Sequence, residues 1–266
     1  MFRLTSRVLK ALPLTLALAA LSILAASCGS SSPAQVRFVH AIQDASPLDV
    51  NIYGTNDAKG TQISTDIAFL GVQPNQPGHT TVPSGSDSVQ GFLTGSTTQV
   101  FSDSLGLGSG AQYTLVATGF SQTGAVKGSN VVLLSIPDNN AAPPAGDVSF
   151  RVINASPSGP GGTGVAVDVY ILLNPSGGPI GKPAISGLAY TQGSGYVSLA
   201  FNPNNATNPP GFTVYVTASG TTTPVVISEP INPASAGAVR TLVLTDVQGG
   251  NPPRMNSTFV ELSDLN

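Results

Sequence analysis

The sequence predicts an all-β protein with two tandem β-sandwich domains behind an N-terminal signal helix. Short apolar runs, rich in β-branched residues, recur about every ten residues between Gly, Pro, Asn and Ser, which is typical of a β-sandwich. After residue 28, no segment combines a 3.6-residue apolar period with helix caps. The 30 Gly and 22 Pro residues accompany an apolar fraction of 41%, which favours a turn-rich β protein over a disordered chain.

The chain contains two copies of one unit. The segment Val36–Ala41 is matched by Phe150–Ala155, so that Arg37 aligns with Arg151 at an offset of 114 residues. Further matches keep the same order, which indicates a duplicated domain with loop insertions. They pair Leu48–Ile52 with Val167–Ile171, Ile67–Phe69 with Leu188–Tyr190, and Tyr113–Val116 with Arg240–Val243.

The leader and the repeat divide the chain into a signal peptide at 1–27, a flexible tether at 28–34, a first sandwich at 35–136, a Pro-stiffened linker at 137–147 and a second sandwich at 148–266. Strands are predicted in the first sandwich at Gln35–Ala41, Leu48–Tyr53, Ile67–Val72, Thr80–Val82, Ser88–Leu93, Gln99–Ser104, Gln112–Thr118 and Asn130–Ile136. In the second sandwich they are predicted at Val148–Asn154, Val167–Leu172, Ala184–Tyr190, Gly195–Phe201, Thr213–Thr217, Val225–Ser228, Val239–Thr245 and Thr258–Leu262.

The N-terminus has the pattern of an exported protein. Arg3, Arg7 and Lys10 precede an apolar run, Ala11–Ala26, which is shorter than the roughly 20 residues that span a bilayer. Small residues then lead into Cys28, the only cysteine of the chain. A lone cysteine in an exported protein has no disulfide partner, so acylation of Cys28 would explain both its presence and its position.

The segment Leu24–Gly29 resembles the lipobox of bacterial prolipoproteins, although Ala25 stands where that motif usually carries Leu. The resemblance implies cleavage before Cys28 and a covalent lipid on its thiol; no other cofactor is expected. Gly29 is not the Asp that signals inner-membrane retention in such proteins, which implies the bacterial outer membrane, with the protein facing the periplasm or the cell surface. The alternatives are an ordinary secretory signal with an incidental cysteine, or an uncleaved anchor.

Several short motifs recur in the two units. The first unit carries Val36–Ala41, Asp44-Ala45, Leu48–Val50 and Thr81–Gly85, and the second carries Arg151–Pro157 and Val167–Tyr170. Through these motifs each unit resembles the domain of unknown function 4397 family of bacterial exported proteins. The resemblance covers most of residues 35–250. It implies immunoglobulin-like sandwiches and a cell-envelope setting, and it implies no activity.

The charge content is low and excludes some partners. Only 9% of the residues are charged, against roughly 25% in an average globular protein. Three of the ten basic residues lie in the leader, which leaves seven basic and thirteen acidic groups after it, a net charge of −6. Because no basic stripe exists, we expect no binding to nucleic acid, and membrane contact only through the lipid anchor.

A repeated Arg/Asp pair stands out in a chain so poor in charge. Arg37 and Asp49 of the first unit correspond to Arg151 and Asp168 of the second, which suggests that both pairs do the same job. The structural interpretation is a salt bridge that fixes the first two strands of each sandwich. The functional interpretation is an anion or Ca²⁺ site near Asp44 and Asp49.

No constellation of residues predicts catalysis, so we expect that the protein is not an enzyme. The two histidines, His40 and His79, lack the cysteine or histidine partners of a zinc site, and Asn154 replaces His40 in the second unit. Gly119–Gly124 has one residue too many for a nucleophile elbow. The only glutamates, Glu229 and Glu261, both lie late in the second unit, which makes a glycosidase pair improbable.

The expected role is therefore structural or binding, as an adhesion or scaffold protein of the cell envelope whose partner is an envelope protein or a polysaccharide. Recognition is expected in the loops Tyr53–Thr65, Ser156–Gly164 and Asn202–Pro210. The alternative, a module that binds extracellular polysaccharide, requires an exposed row of tyrosines. The tyrosines to inspect for exposure are Tyr53, Tyr170 and Tyr196, whereas the residues expected in the core are Phe38, Phe69, Tyr113, Tyr190 and Tyr215.

Overall fold

The computed structural model describes residues 32–55, 59–121, 130–159, 164–173, 178–179, 181–201, 211–228, 230–233, 235–247 and 257–265. The predicted signal peptide, Cys28 and most of the tether lie outside the described residues, as does the predicted loop Asn202–Pro210. Residues Pro33–Asn266 belong to one compact unit. Its described part is all-β, which confirms the predicted fold class. In that part, no helix could cross a membrane.

Seventeen strands are defined within these ranges. The first half contributes β1 (Ala34–Ile42), β2 (Leu48–Gly54), β3 (Thr61–Ile67), β4 (Val72–Gln73), β5 (Thr80–Val82), β6 (Gly85–Leu93), β7 (Gln99–Leu107), β8 (Gln112–Gly119) and β9 (Val132–Pro137). The second half contributes β10 (Asp147–Asn154), β11 (Val167–Leu173), β12 (Ile185–Leu188), β13 (Val197–Ala200), β14 (Phe212–Ala218), β15 (Pro224–Ile227), β16 (Val239–Asp246) and β17 (Ser257–Leu265). Residues 138–146, between β9 and β10, hold no strand.

Each half is a sandwich of two sheets. In the first half, the sheet β4-β1-β8-β9, to which β5 adds through β1, packs on the sheet β3-β2-β6-β7. Strands β1 and β8 run parallel and all other pairs are antiparallel. The alternation of the strands directs Val36, Phe38, Val50, Val89 and Leu115 into one core.

The second half repeats this plan. Its sheet β13-β10-β16-β17 packs on the sheet β12-β11-β14-β15, and β10 pairs with β16 in parallel, as β1 pairs with β8. Phe150, Val152, Val169, Val216 and Leu242 belong to the second core. The predicted pair of sandwiches is therefore present, and their immunoglobulin-like character remains a prediction.

A third apolar layer joins the two sandwiches. It contains side chains from β1, β8 and β9 of the first half together with side chains from β10, β16 and β17 of the second. Its members include Val39, Val116, Ile153, Val243 and Leu262. The central strands β1, β8, β10 and β16 thus bury both faces, one in their own sandwich and one in this shared layer, which explains why they are buried along almost their whole length.

One strand prediction in the first half is wrong, and one strand there was not predicted. Ile67–Val72 is not one strand, because Ala68–Gly71 forms a turn in which Leu70 has a φ of 65° and the Gly71 N–H donates to the Ala68 carbonyl at 2.8 Å. The strand in this region is β3, which precedes the turn and occupies part of the predicted recognition loop Tyr53–Thr65. Its sequence, TQISTDI, has too few apolar residues to stand out.

We expect Ile153→Ala to lower the free energy of unfolding by about 2–4 kcal/mol, because Ile153 is fully buried in the shared layer and its loss leaves a cavity. Urea unfolding followed by circular dichroism measures this change. The matched control is Val132→Ala in β9, whose side chain is 37% exposed and whose loss should cost less than about 0.5 kcal/mol. Equal losses in the two variants would contradict a packed layer between the sandwiches.

Candidate functional site

The shared layer contains four buried charged residues, Arg37, Asp138, Arg151 and Asp264, none of which has more than 2% of its side chain exposed. Together with Thr114 and Thr241 they form a set that we call the twin ion-pair network. Each half of the chain supplies one arginine, one threonine and one aspartate to it.

The two halves make equivalent contacts within their own sheets. Arg37 Nε donates to Thr114 Oγ1 at 2.9 Å, and Thr114 Oγ1 donates to Asp138 Oδ1 at 2.7 Å. In the second half, Arg151 Nε donates to Thr241 Oγ1 at 3.0 Å, and Thr241 Oγ1 donates to Asp264 Oδ2 at 2.5 Å. Thr114 lies beside Arg37 in the β1–β8 ladder, and Thr241 lies beside Arg151 in the β10–β16 ladder.

Each arginine then reaches across to the aspartate of the other half. Arg37 Nη2 donates to Asp264 Oδ1, and Arg151 Nη2 donates to Asp138 Oδ1 at 2.6 Å. The Nη1 atoms also reach the other half. Arg37 Nη1 donates to the Ser263 carbonyl at 3.3 Å, and Arg151 Nη1 donates to the Pro137 carbonyl at 2.8 Å. The two crossed pairs are thus related by a local two-fold symmetry, and their four charges cancel.

One further side chain closes each end of the network. His79 Nε2 lies 3.1 Å from Asp138 Oδ2, and Tyr196 donates its hydroxyl to Asp264 Oδ2 at 3.0 Å. The Arg151 guanidinium also stacks on the Tyr196 ring, 4.8 Å from its centroid. The polar atoms of the arginines and aspartates are therefore satisfied within the protein.

These contacts fix the charge state of the buried groups. Burial raises the pKa of Asp138, but the hydrogen bond from His79 and the charges of Arg37 and Arg151 outweigh it and lower that pKa to about 2. Burial also raises the pKa of the Tyr196 hydroxyl to about 12. Asp138 is thus an anion and Tyr196 a neutral donor throughout the physiological range.

The predicted pairing of Arg37 with Asp49, and of Arg151 with Asp168, is wrong. Arg37 points out of its sheet into the shared layer, whereas Asp49 alternates with the core residues Leu48 and Val50 and so lies on the outer face of the opposite sheet. The arginines pair instead with Asp138 and Asp264, as described above.

The two repeated aspartates do perform the same job, which is to hold loops. Asp49 accepts hydrogen bonds from the N–H groups of Asp66 at 2.8 Å and Gly95 at 3.3 Å. Asp168 accepts from Gly187 and Gly220, each at 2.8 Å, and from the Ser219 hydroxyl. Burial raises the pKa of Asp168, but these hydrogen bonds outweigh it and hold the pKa below its usual value.

The proposed anion or Ca²⁺ site near Asp44 and Asp49 gains no support. Asp44 Oδ1 accepts the Ser121 N–H at 2.6 Å, and both Asp49 oxygens accept backbone N–H groups. No group of three or more His, Cys, Asp or Glu side chains suited to a metal ion occurs in the described ranges.

His40 is a structural histidine. It is fully buried, its Nδ1 accepts the Ile42 N–H at 3.2 Å, and its ring meets Phe69 edge-on with centroids 6.2 Å apart. Burial lowers its pKa to about 4, more than the nearby backbone of Ser46 raises it. Asn154, its counterpart, does the same work, because its Oδ1 accepts the Ser156 N–H at 3.2 Å.

The tyrosines do not form an exposed row. All six tyrosines of the chain are described, and each is buried or half-buried. Of the three singled out for inspection, Tyr170 is 4% exposed, Tyr196 packs against Arg151, and Tyr53 lies over Gly60, where a β-carbon would come within 2.7 Å of the ring.

Sequence reasoning located the arginines but missed their partners. A signal for the threonines was present, because Thr114 and Thr241 occupy equal positions in the matched segments Tyr113–Val116 and Arg240–Val243. Asp138 lay hidden in the predicted linker and Asp264 near the C-terminus. Both aspartates directly follow the end of a regular apolar strand pattern, in Ile136-Pro137-Asp138 and Leu262-Ser263-Asp264.

Fold and site together define a protein of two similar β-sandwiches that arose by duplication. A buried network of crossed ion pairs joins the two sandwiches. Residues 34–161 match the family described as "Domain of unknown function (DUF4397)", which confirms the resemblance seen in the sequence. The match covers the first sandwich together with β10. No curated protein matches the chain.

Several solved structures are distantly similar. The Bacillus anthracis TIE protein is 10% identical, with a TM-score of 0.24, over 82% of this chain; the match spans only 34% of that longer chain. A protein from Bacteroides ovatus is 10% identical over 87% of this chain and 96% of its own, with a TM-score of 0.25. CBMbc (family CBM26) from Eubacterium rectale Amy13K, in complex with maltoheptaose, is 13% identical over 85% and 95%, with a TM-score of 0.22. Likenesses this weak carry no functional information.

We expect Asp138→Asn to lower the free energy of unfolding by about 3–5 kcal/mol, because it leaves the buried Arg151 cation without its partner. Urea denaturation at pH 7 measures the loss. Asp264→Asn should cost a similar amount because of the two-fold symmetry, whereas Asp103→Asn, at an exposed position, should cost less than about 0.5 kcal/mol. A small loss in both network variants would show that the crossed pairs are not needed for stability.

The lowered pKa of His40 predicts a pH-dependent stability. Since His40 binds a proton at about pH 6.5 when unfolded but only near pH 4 when folded, the free energy of unfolding should fall by about 2 kcal/mol between pH 7.5 and pH 4.5. His40→Asn, which copies Asn154, should keep the hydrogen bond to Ile42 and remove most of this fall. Denaturant unfolding at the two pH values tests both statements, and an equal fall in the variant would exclude His40 as its source.

Proposed function

We propose that this chain is a lipid-anchored protein of the bacterial cell envelope that acts by binding or scaffolding and not by catalysis. The observation that carries the proposal is the position of Cys28, the only cysteine, directly behind a basic and apolar leader. The compact unit begins at Pro33, so that residues 29–32 alone separate it from Cys28. An acylated Cys28 would hold the sandwiches close to a membrane, in keeping with an outer-membrane location.

A binding role is supported by how the reactive side chains are used. His79 does meet a carboxylate, but that carboxylate, Asp138, is also held by Arg151 and Thr114. To act as a general base, the His79 ring would need a group that gives up a proton within reach of the ring nitrogen that does not face Asp138. His40 lies fully buried, its Nδ1 accepts a backbone N–H, its ring meets Phe69 edge-on, and its Nε2 has no hydrogen-bond partner among the described residues.

A polysaccharide-binding module is the second candidate, and the described residues favour it less. Sugar rings usually stack on exposed aromatic faces, whereas all six tyrosines are buried or half-buried. An envelope protein is therefore the partner class that we favour.

We expect Cys28→Ala to move the protein from the membrane fraction to the soluble fraction and to abolish its labelling by radioactive palmitate. The acyl chains supply the membrane affinity, at about 0.8 kcal/mol for each buried CH₂. Circular dichroism of the released protein should show unchanged β structure, because the compact unit starts at Pro33. Ser30→Ala is the matched control and should stay in membranes; retention of the Cys28→Ala protein there would refute lipid anchoring.

A further inference from the structure

One connection between strands is longer in the first half than in the second. Residues 74–79 join β4 to β5, and we call them the inserted loop. The strands that follow the connection, β5 and β13, are equivalent because they pair with matching positions of β1 and β10. In the second half, only residues 195–196 separate Ser194, whose N–H donates to β10, from β13. The inserted loop is therefore a feature of the first half alone.

The inserted loop reaches the other sandwich through the side chain of Gln76. This residue lies in a turn, in which the Gly78 N–H donates to the Asn75 carbonyl at 3.0 Å. Gln76 Nε2 donates to the Glu261 carbonyl at 2.9 Å, and Gln76 Oε1 accepts the Ser263 N–H. Both partners lie in β17, the edge strand of the sheet β13-β10-β16-β17. One main-chain acceptor and one main-chain donor of that edge are thus bonded to a side chain instead of a strand.

The equivalent edge strand of the first half, β9, ends on a proline. The Pro137 carbonyl accepts a hydrogen bond from the network arginine of the other half, Arg151, at 2.8 Å. The Ser263 carbonyl accepts the equivalent bond from Arg37, so Pro137 and Ser263 correspond. Proline has no N–H to offer to an added strand, whereas Ser263 has one. Gln76 therefore covers on β17 the donor that proline removes on β9.

A second glutamine caps another edge strand in a similar way. Strand β3 is the edge of the sheet β3-β2-β6-β7. Gln73 Nε2 donates to the Thr65 carbonyl at 2.9 Å, and Gln73 Oε1 accepts the Thr65 N–H at 2.8 Å. The opposite edge strand of that sheet, β7, exposes Ser102, Asp103 and Ser104 instead. A proline, a bonded amide and exposed charge share one effect, which is to make an edge a poor template for another strand.

The contacts of Gln76 contribute little to stability. Gln76 and Glu261 are exposed, so water can replace the amide, and the net gain from each hydrogen bond is small. The larger consequence of losing the amide is an open main-chain N–H and C=O on an edge strand, which can then pair with another strand. A second copy carries the same edge, and two antiparallel β17 strands would form a closed dimer with two-fold symmetry.

We propose that Gln76 is an edge cap that keeps this chain from self-association. Its amide occupies the edge of β17 at Glu261 and Ser263, and so prevents that strand from pairing with β17 of a second copy. The inference goes beyond the proposed binding function and does not rest on it or on the lipid anchor.

The first test is Gln76→Ala in the compact unit from Pro33 onward, studied by sedimentation velocity at increasing protein concentration. We expect a dimer whose dissociation constant is at least about tenfold lower than that of the unmodified chain, because the edge is open. Circular dichroism and the urea midpoint should be unchanged. The matched control is Gln62→Ala, which removes the same amide from an exposed position of β3 and should leave the oligomeric state unaltered.

A second substitution then restores the block by another route. Ser263→Pro, added to Gln76→Ala, copies Pro137 and removes the uncovered N–H, which faces the edge and not β16. We expect this double variant to be monomeric again. If it fails to fold, hydrogen exchange in Gln76→Ala decides. The Ser263 amide should exchange faster than in the unmodified chain at low concentration and become protected as the concentration rises.

Four results would overturn the proposal. Gln76→Ala could stay as monomeric as Gln62→Ala, or its dimer could persist in the folded double variant. The dimer could also form without protection of the Ser263 amide. A large fall in the urea midpoint of Gln76→Ala would give the amide a role in stability instead. The Cys28→Ala experiment is independent of these outcomes, so failure here leaves the anchoring proposal standing.

Discussion

Two crossed arginine–aspartate pairs, buried between the sandwiches, are the interaction on which the rest of the structure depends. Removing four charges from water costs several kcal/mol for each ion, and only their mutual attraction and complete hydrogen bonding offset that cost. Arg37 finds its carboxylate on Asp264, and Arg151 finds its own on Asp138. Each arginine thus makes its hydrogen-bonded ion pair with the other half, and each half completes the charge balance of the other.

This mutual dependence also fixes how the sandwiches meet. Apolar side chains such as Val39, Val116 and Ile153 would tolerate many relative positions of two flat sheets, because apolar contact is not directional. The directional hydrogen bonds of the arginines and threonines tolerate very few. The network thus selects one register for the shared layer, while the apolar residues around it supply most of the favourable free energy.

The two similar units are alike in their interior and differ at their edges. Each half keeps an arginine, a threonine and an aspartate at equivalent positions, because the crossed network needs one set of these residues from each half. The outer edges have diverged: β7 is long and polar at its exposed positions, whereas β15 is short and exposes Val225 and Ile227.

Much of this protein could be predicted from the sequence, because local patterns cause it. Period-two alternation and β-branched runs predict the strands, and the match between Val36–Ala41 and Phe150–Ala155 predicts the duplication. The match between Asp49 and Asp168 correctly indicated that the two aspartates have the same role, which is to hold loops. Strand β3 escaped prediction because its residues are mostly polar, and its sheet neighbours rather than its own sequence make it a strand.

The partners of the buried charges were decided only by the tertiary structure. The sequence separation between Arg37 and Asp264 is 227 residues, and no local period connects such distant positions. Asp49, close to Arg37 in the chain, lies on the far face of the same sandwich, because side-chain alternation and sheet packing set direction more strongly than proximity in sequence. The sequence by itself determined most of the strands and that each unit occurs twice. Packing determined which faces meet, since the carboxylate that is hydrogen-bonded to Arg37 Nη2 lies in the second half.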